Sequence, residues 1–166
     1  MTTDISGFAA PIITSKCKVP DDWIDYNGHM NVSYYSMAFD QAIDEVFETV
    51  LEIGESHTAK TRHGPYVLQN NMHYLDELLV GAEFRVNFRL IDHDAKRMHL
   101  FLEMINTSGV VVALSEQLLM NVDLTTRRST PYPEWVQGRL AQLQTAHDVL
   151  PLPPQLGAAL GIRRKG

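Results

Sequence analysis

Residues 25–54 read DYNGHMNVSYYSMAFDQAIDEVFETVLEIG, a polar loop that runs straight into a long amphipathic segment. Tyr35, Phe39, Ala42, Val46 and Val50 follow one another at steps of four, four, three and four, and Ala38, Ile43 and Phe47 widen the stripe. Glu45, Glu48 and Glu52 fall mainly on the other side. That pattern predicts an amphipathic α-helix of roughly 20 residues, about 30 Å long. Asn31 suits the N-cap, since its side chain can accept from the first free N–H groups, and Gly54 suits the C-terminal stop. The loop before it, Asp25-Tyr26-Asn27-Gly28-His29-Met30-Asn31, gathers a carboxylate, an amide and an imidazole at a helix N-terminus. Unpaired backbone N–H groups and a positive dipole end beside a carboxylate suit attack on a carbonyl.

Working outward, the flanking segments read as strands. Residues 12–19 (IITSKCKV) are β-branched and bounded by Pro11 and Pro20, which predicts a first strand. Residues 55–65 lack periodicity and read as a loop. Residues 66–75 read as a strand with Val67, Gln69, Asn71, His73 and Leu75 on one face. Residues 83–91 alternate, with Phe84, Val86, Phe88 and Leu90 pointing one way. Residues 97–106 and 110–123 follow after polar turns, as a meander of antiparallel hairpins. In the tail, residues 134–146 predict a short helix with Trp135, Leu140 and Leu143 inward, before Pro151, Pro153 and Pro154 forbid regular structure. One long helix with about five antiparallel strands is an α+β fold, the helix laid across the concave face of a curled sheet.

The 166 residues predict a single domain, 1–166, with residues 1–11 and 147–166 as loose ends. A net charge of −6 argues against nucleic acid as the main partner. The single Cys17 excludes an intrachain disulfide and fits a reducing compartment. The N-terminus has no signal-peptide pattern, and no apolar run approaches the roughly 20 residues that cross a bilayer. The expected location is the cytoplasm, with no membrane partner. The seven His residues include no HExxH or similar ligand spacing, so no metal is expected. Nor is there a GxSxG elbow or a P-loop.

Asp25-x-Asn27-Gly28-His29-x-Asn31, with Tyr35 and Phe39 downstream and the order of elements over residues 12–123, resembles the hotdog-fold acyl thioesterases, in their 4-hydroxybenzoyl-CoA thioesterase-like branch. Val122-Asp123 followed by Arg127-Arg128 and Pro131 looks like that family's final strand and exit. The chain departs from the related Asp-x-Asn-x-His-x-Asn-Asn run at Val32, where a second Asn is common. The segment His93–Phe101 is similar to a subgroup associated with carnitine breakdown, whose members cleave betainyl-CoA. The resemblance implies a hotdog fold, an acyl-CoA substrate, hydrolysis to free acid and coenzyme A, and no further cofactor. It also implies a homodimer or dimer of dimers, with active sites at the subunit interface.

On that footing Asp25 is the catalytic carboxylate, as nucleophile or as general base, and the Val32 backbone N–H is the oxyanion donor. Read from the residues alone, Asp25 is more simply a turn cap, as a loop Asp often is. His29 either orients Asp25 and meets the thioester or packs within the loop, and Asn27 either assists or supplies turn geometry. Trp23, Tyr26, Tyr34 and Tyr35 are the candidate acyl-binding aromatics, with the helix core as their other reading. Lys60, Arg62, Lys96, Arg97, Arg127 and Arg128 are candidates for the phosphates of coenzyme A, Arg127 and Arg128 foremost. Glu116, among apolar Val112, Leu114, Leu118 and Met120, is a carboxylate either functional or turned to solvent by a twist. Two other functions stay open: a non-catalytic acyl-CoA-binding protein, and a hotdog enoyl-CoA hydratase.

Overall fold

A computed structural model describes residues 7–164. The expected leader and tail therefore lie partly outside the described residues, at 1–6 and 165–166. The elements are β1 (Ile12–Ile13), β2 (Cys17–Lys18), α1 (Val32–Val46), α2 (Glu55–Thr61), β3 (His63–Tyr74), β4 (Glu83–His93), β5 (Arg97–Asn106), β6 (Val111–Asp123), β7 (Arg128–Ser129) and α3 (Glu134–His147). The antiparallel sheet runs β1-β4-β5-β6-β3, with β2 also on β4 and β7 on β6. It is a curled, open sheet. The expected meander of β4, β5 and β6 is present, and β3 adds to its far edge by pairing with β6.

The core lies between α1 and one face of this sheet. Alternation puts Phe84, Val86, Phe88 and Leu90 inward on β4, and Met98, Leu100, Leu102 and Met104 inward on β5, all essentially buried. The helical stripe of Tyr35, Phe39, Ala42 and Val46 covers them. Each such buried Phe, Leu or Met contributes about 1.5–3 kcal/mol. On α3, Val136, Leu140 and Leu143 join the same core, but Trp135, expected inward, is half exposed and meets His57 edge to face.

Several boundaries differ from expectation for nameable reasons. The first strand is split. Thr14 bonds both ways to Val86, while the Ser15 N–H and hydroxyl turn aside to donate to Glu45 of α1. The long helix does not run on to Gly54. It changes to a π-helical turn over Phe47–Leu51 and stops at Glu52 in the left-handed region (φ 60). Gly54 instead begins α2, where a Cβ would lie 2.8 Å from the Glu48 backbone. The expected loop at 55–65 contains this helix because Glu48 reaches across to accept from the Ser56 N–H and hydroxyl. A bulge between Val67 and Gln69 breaks the alternation of β3: Val67 pairs with Leu119 and Gln69 with Leu118, neighbours on opposite faces of β6.

The described ends are not loose. His147 is fully buried, accepting from the Leu90 N–H on Nδ1 (2.9 Å) and meeting the Ala9 carbonyl on Nε2 (3.0 Å). The tail then crosses the outer face of the sheet. Arg89 donates to the carbonyls of Leu150 and Pro151, the Gly157 N–H donates to Glu116, and Asn71 donates to the Ala158 carbonyl.

Candidate active site

The polar loop is a closed hairpin. Ile24 and Met30 form a β-bridge, the Asp25 N–H donates to the His29 carbonyl (3.0 Å), and the Gly28 N–H donates to the Asp25 carbonyl (3.0 Å). Gly28 sits at φ 81, a conformation that a side chain would strain. Asn27 serves this turn through its backbone, its N–H donating to Asp25 Oδ1 (2.8 Å). The loop is tied down at both ends by the Asn31 N–H on the Trp23 carbonyl and the Met30 N–H on the Leu78 carbonyl, each 2.8 Å.

These bonds leave Asp25 Oδ2 weakly engaged. Its neighbours are Asn31 Nδ2 at 3.4 Å and His29 Nε2 at 3.9 Å. The Asp25 side chain is 13% exposed, so it is largely sheltered yet opens on a cleft. Asn31 caps α1, its Oδ1 accepting from the Ser33 N–H (2.9 Å) and hydroxyl (2.8 Å). The Tyr34 N–H donates to the Asn31 carbonyl. The Val32 N–H takes no acceptor among the described residues and stands at the helix start, where the backbone dipoles favour negative charge.

The cleft has a volume of ≈ 480 Å³ and runs between the loop and the segment after β3. Asp25, His29 and Val32 line one side, and Tyr74, Asp76 and Glu77 the other. His29 Nδ1 lies 3.2 Å from Glu77 Oε2, which ties the two sides together. Tyr35 packs edge-on against Tyr74, with ring centroids 5.3 Å apart. Burial pushes the Tyr35 phenol above its ordinary range, and Glu77 and Asp76 push it further, against a backbone bond at Leu78.

The other expected residues are placed as follows. Tyr35 lines the cleft. Trp23 and Tyr34 instead stack on one another behind the loop, centroids 5.1 Å apart and nearly parallel. Tyr26 is 96% exposed at the loop tip. The basic candidates do not gather at Asp25. Arg62 and Arg127 lie at the opposite end of β3: the Arg62 carbonyl accepts from Leu124, and Arg127 donates to the Tyr66 hydroxyl (3.1 Å). Arg128 belongs to β7 on that same end of β6, and Lys60 to the last turn of α2. Lys96 and Arg97 sit in the turn between β4 and β5, where the Arg97 guanidinium and the Lys96 N–H hold the Asp94 carboxyl down at about 2. Glu116 lies on the outer sheet face, 2.8 Å from His99, beside a cavity of ≈ 530 Å³ roofed by the tail. That cavity is larger than the cleft, but it lacks a helix N-terminus, and both Glu116 oxygens are already bonded.

Sequence reasoning missed Tyr74, Asp76 and Glu77. The signal available was the acidic pair directly after an apolar strand end, but it is tertiary contacts, the Met30–Leu78 bond and the His29–Glu77 pair, that bring that segment to the loop.

A profile of the Thioesterase-like superfamily matches residues 19–140. The chain belongs to that superfamily. Among relatives of this thioesterase-like protein is the betainyl-CoA thioesterase of Pseudomonas aeruginosa, 32% identical over 91% of this chain and 95% of the relative. An L-carnitine dehydrogenase/betainyl-CoA thioesterase of Ruegeria pomeroyi is 33% identical over 95% of this chain, which spans 32% of that longer protein. A Staphylococcus aureus protein solved in complex with CoA superposes with a TM-score of 0.85 at 26% identity, over 94% of this chain and 99% of the other.

Proposed function

We propose that this thioesterase-like protein hydrolyses an acyl-CoA thioester to the free acid and coenzyme A. The observation that carries the reading is Asp25. Its Oδ2 is only weakly engaged, sheltered and open to the cleft that Val32, with its unpaired N–H at a helix start, also lines. Asp25 adds to the thioester carbonyl directly, or takes a proton from the water that does. The carbonyl oxygen becomes an oxyanion facing the Val32 N–H. The tetrahedral centre then collapses, the C–S bond breaks, and coenzyme A leaves as a thiolate. Little acid help is needed, because the parent thiol has a pKa near ~8.5. In the direct route water then cleaves the acyl–Asp25 anhydride and returns the carboxylate. His29, between Asp25 and Glu77, orients the carboxylate. Superfamily membership and the CoA-bound structural relative support the substrate class, and the named relatives favour a betainyl group as the acyl part.

The acting form in this reading is a homodimer. β3 is a 12-residue strand paired on one side only, with Tyr66, Val67 and Leu68 about half exposed. An unpaired edge of that length invites a second strand. Arg62 and Arg127 stand about 35 Å from the cleft along β3, by the rise of a strand. Antiparallel pairing of two β3 edges carries the basic end of one protomer to the Asp25 end of the other, where phosphates of coenzyme A need cations. The free, exposed Cys17 favours the cytoplasm as location.

Free-thiol release from a panel of acyl-CoAs, by wild type and Asp25→Asn together, tests the chemistry. Turnover lost only in the variant supports it. Binding of acyl-CoA without turnover by folded wild type replaces it with a binding protein. Mixing Asp25→Asn chains with Arg62→Ala/Arg127→Ala chains tests the dimer: partial recovery of activity in the mixture supports a shared site.

A further inference from the structure

The wall opposite the Asp25 loop, residues 74–78, enters the chemistry just proposed only through Glu77, the partner of His29, and it is itself firmly fixed. The Leu75 and Asp76 N–H groups both donate to the Val112 carbonyl, at 2.9 and 3.1 Å. The Met30 N–H holds the Leu78 carbonyl at 2.8 Å. Tyr74, half exposed, is braced by the buried ring of Tyr35 at an interplanar angle of 82°.

The charge of this cleft is unusual for an enzyme of polyanionic thioesters. Its lining holds the carboxylates Asp25, Asp76 and Glu77 and no Lys or Arg. Only one carboxylate is needed for the chemistry. Glu77 is occupied by His29, and Asp76 accepts a single bond on Oδ1, from the Glu77 N–H at 2.8 Å. An acyl group ending in a carboxylate is repelled here, and a neutral one gains nothing from the charges. A compact cation gains from both the carboxylates and a neutral aromatic face. Burial raises the ionisation of both Tyr74 and Tyr35, so both rings stay neutral at physiological pH and keep their negative faces.

We propose that Tyr74, Asp76 and Glu77 are specificity-determining residues that select an acyl group ending in a quaternary ammonium. A quaternary ammonium has no N–H to donate, so hydrogen-bonding side chains alone cannot recognise it. A ring face with flanking carboxylates can. This inference rests on the acyl-CoA hydrolase reading and assigns charge selection to the wall rather than to the catalytic loop.

The test compares two thioesters of one shape, trimethylammonioacetyl-CoA (betainyl-CoA) and its neutral isostere 3,3-dimethylbutanoyl-CoA. The readout is the ratio of their kcat/KM values in wild type, Asp76→Asn, Asp76→Asn/Glu77→Gln, Tyr74→Leu and Tyr74→Phe. Wild type is expected to favour the cation by about tenfold or more, the size of one well-desolvated cation–π contact. Asp76→Asn and Tyr74→Leu each shrink the ratio severalfold, the double variant shrinks it further, and Tyr74→Phe, which keeps the ring, retains it. Equal cleavage of the two substrates by wild type overturns the selection and leaves the hydrolase reading standing. So does an unchanged ratio in folded Asp76→Asn and Tyr74→Leu. Release of thiol from neither substrate nor from any simple acyl-CoA overturns both readings together.

Discussion

Two carboxylates that stand near a histidine, Glu116 and Asp25, are built to opposite ends. On the outer sheet face Glu116 spends both oxygens, one on His99 at 2.8 Å and one on the Gly157 N–H at 2.8 Å. At the helix start Asp25 spends one oxygen on its own turn and leaves the other with contacts of 3.4 and 3.9 Å. A carboxylate with both oxygens in short bonds holds structure together. One that is sheltered and half-engaged still has free energy to gain from a substrate or a water. Both are carboxylates with a histidine nearby; what separates them is how fully the second oxygen is engaged, at 2.8 Å in Glu116 and at 3.4 Å or beyond in Asp25.

The sharpest way to break this comparison is to neutralise each carboxylate in turn. Asp25→Asn is expected to lower turnover by about 100- to 10,000-fold, the range for a positioned acid–base group, with little change in melting temperature. Steady-state thiol release together with thermal denaturation checks both halves. Glu116→Ala should do the reverse. It orphans the Gly157 N–H and frees His99, costing about 1–2 kcal/mol while turnover stays close to wild type. Faster hydrogen exchange over residues 150–160 should accompany it. If Glu116→Ala instead abolished turnover in folded protein, the assignment of roles would be reversed.

Asn31→Ala refines the same contrast at a smaller scale. It removes the cap of α1 and the weak contact on Asp25 Oδ2 together, for about 1 kcal/mol of stability by chemical denaturation. The smallest effect belongs to the Asp94–Arg97 turn. The Asp94 carboxyl is depressed from 3.8 to about 2, chiefly by its bond to Arg97. A depressed carboxyl stabilises the fold above its unfolded value, and this contribution is lost as pH falls from about 4 towards about 2. The turn is exposed, so Asp94→Asn should cost below about 1 kcal/mol at neutral pH. The gap from wild type in melting temperature should close by about pH 2.

How much of this was legible follows the range of the forces involved. The stripe through Tyr35, Phe39, Ala42 and Val46 and the alternation of Phe84, Val86 and Phe88 are local patterns, and both elements lie where those patterns put them. The helix at Glu55–Thr61 was not legible, because its first turn is held by Glu48 from the preceding helix and not by its own sequence. The bulge at Val67–Gln69 carries no Gly or Pro at its position and so left no mark. At the site, the hairpin turn around Gly28 and the Asn31 cap were readable from residue types. The facing wall was not: Tyr74 and Asp76 approach Asp25 through long-range contacts, the pairing of β3 with β6, the Met30–Leu78 bond and the His29–Glu77 pair. Trp23 and Tyr34 were adjacent to the motif in sequence, yet they satisfied each other by stacking.

The tail that closes over the outer sheet face is gripped almost entirely by its main chain. Arg89 takes the carbonyls of Leu150 and Pro151, Glu116 takes the N–H of Gly157, and Asn71 takes the carbonyl of Ala158. None of these grips depends on a side chain of the tail. Natural variation can therefore rewrite many letters of this segment while its path persists, provided its length, its prolines and the turn at residues 154–157, with Gly157 at φ 69, are kept. Selection should be concentrated on the three sheet residues that hold it, so that a family of such chains would pair a fixed Arg, Glu and Asn with a drifting partner strand of sequence.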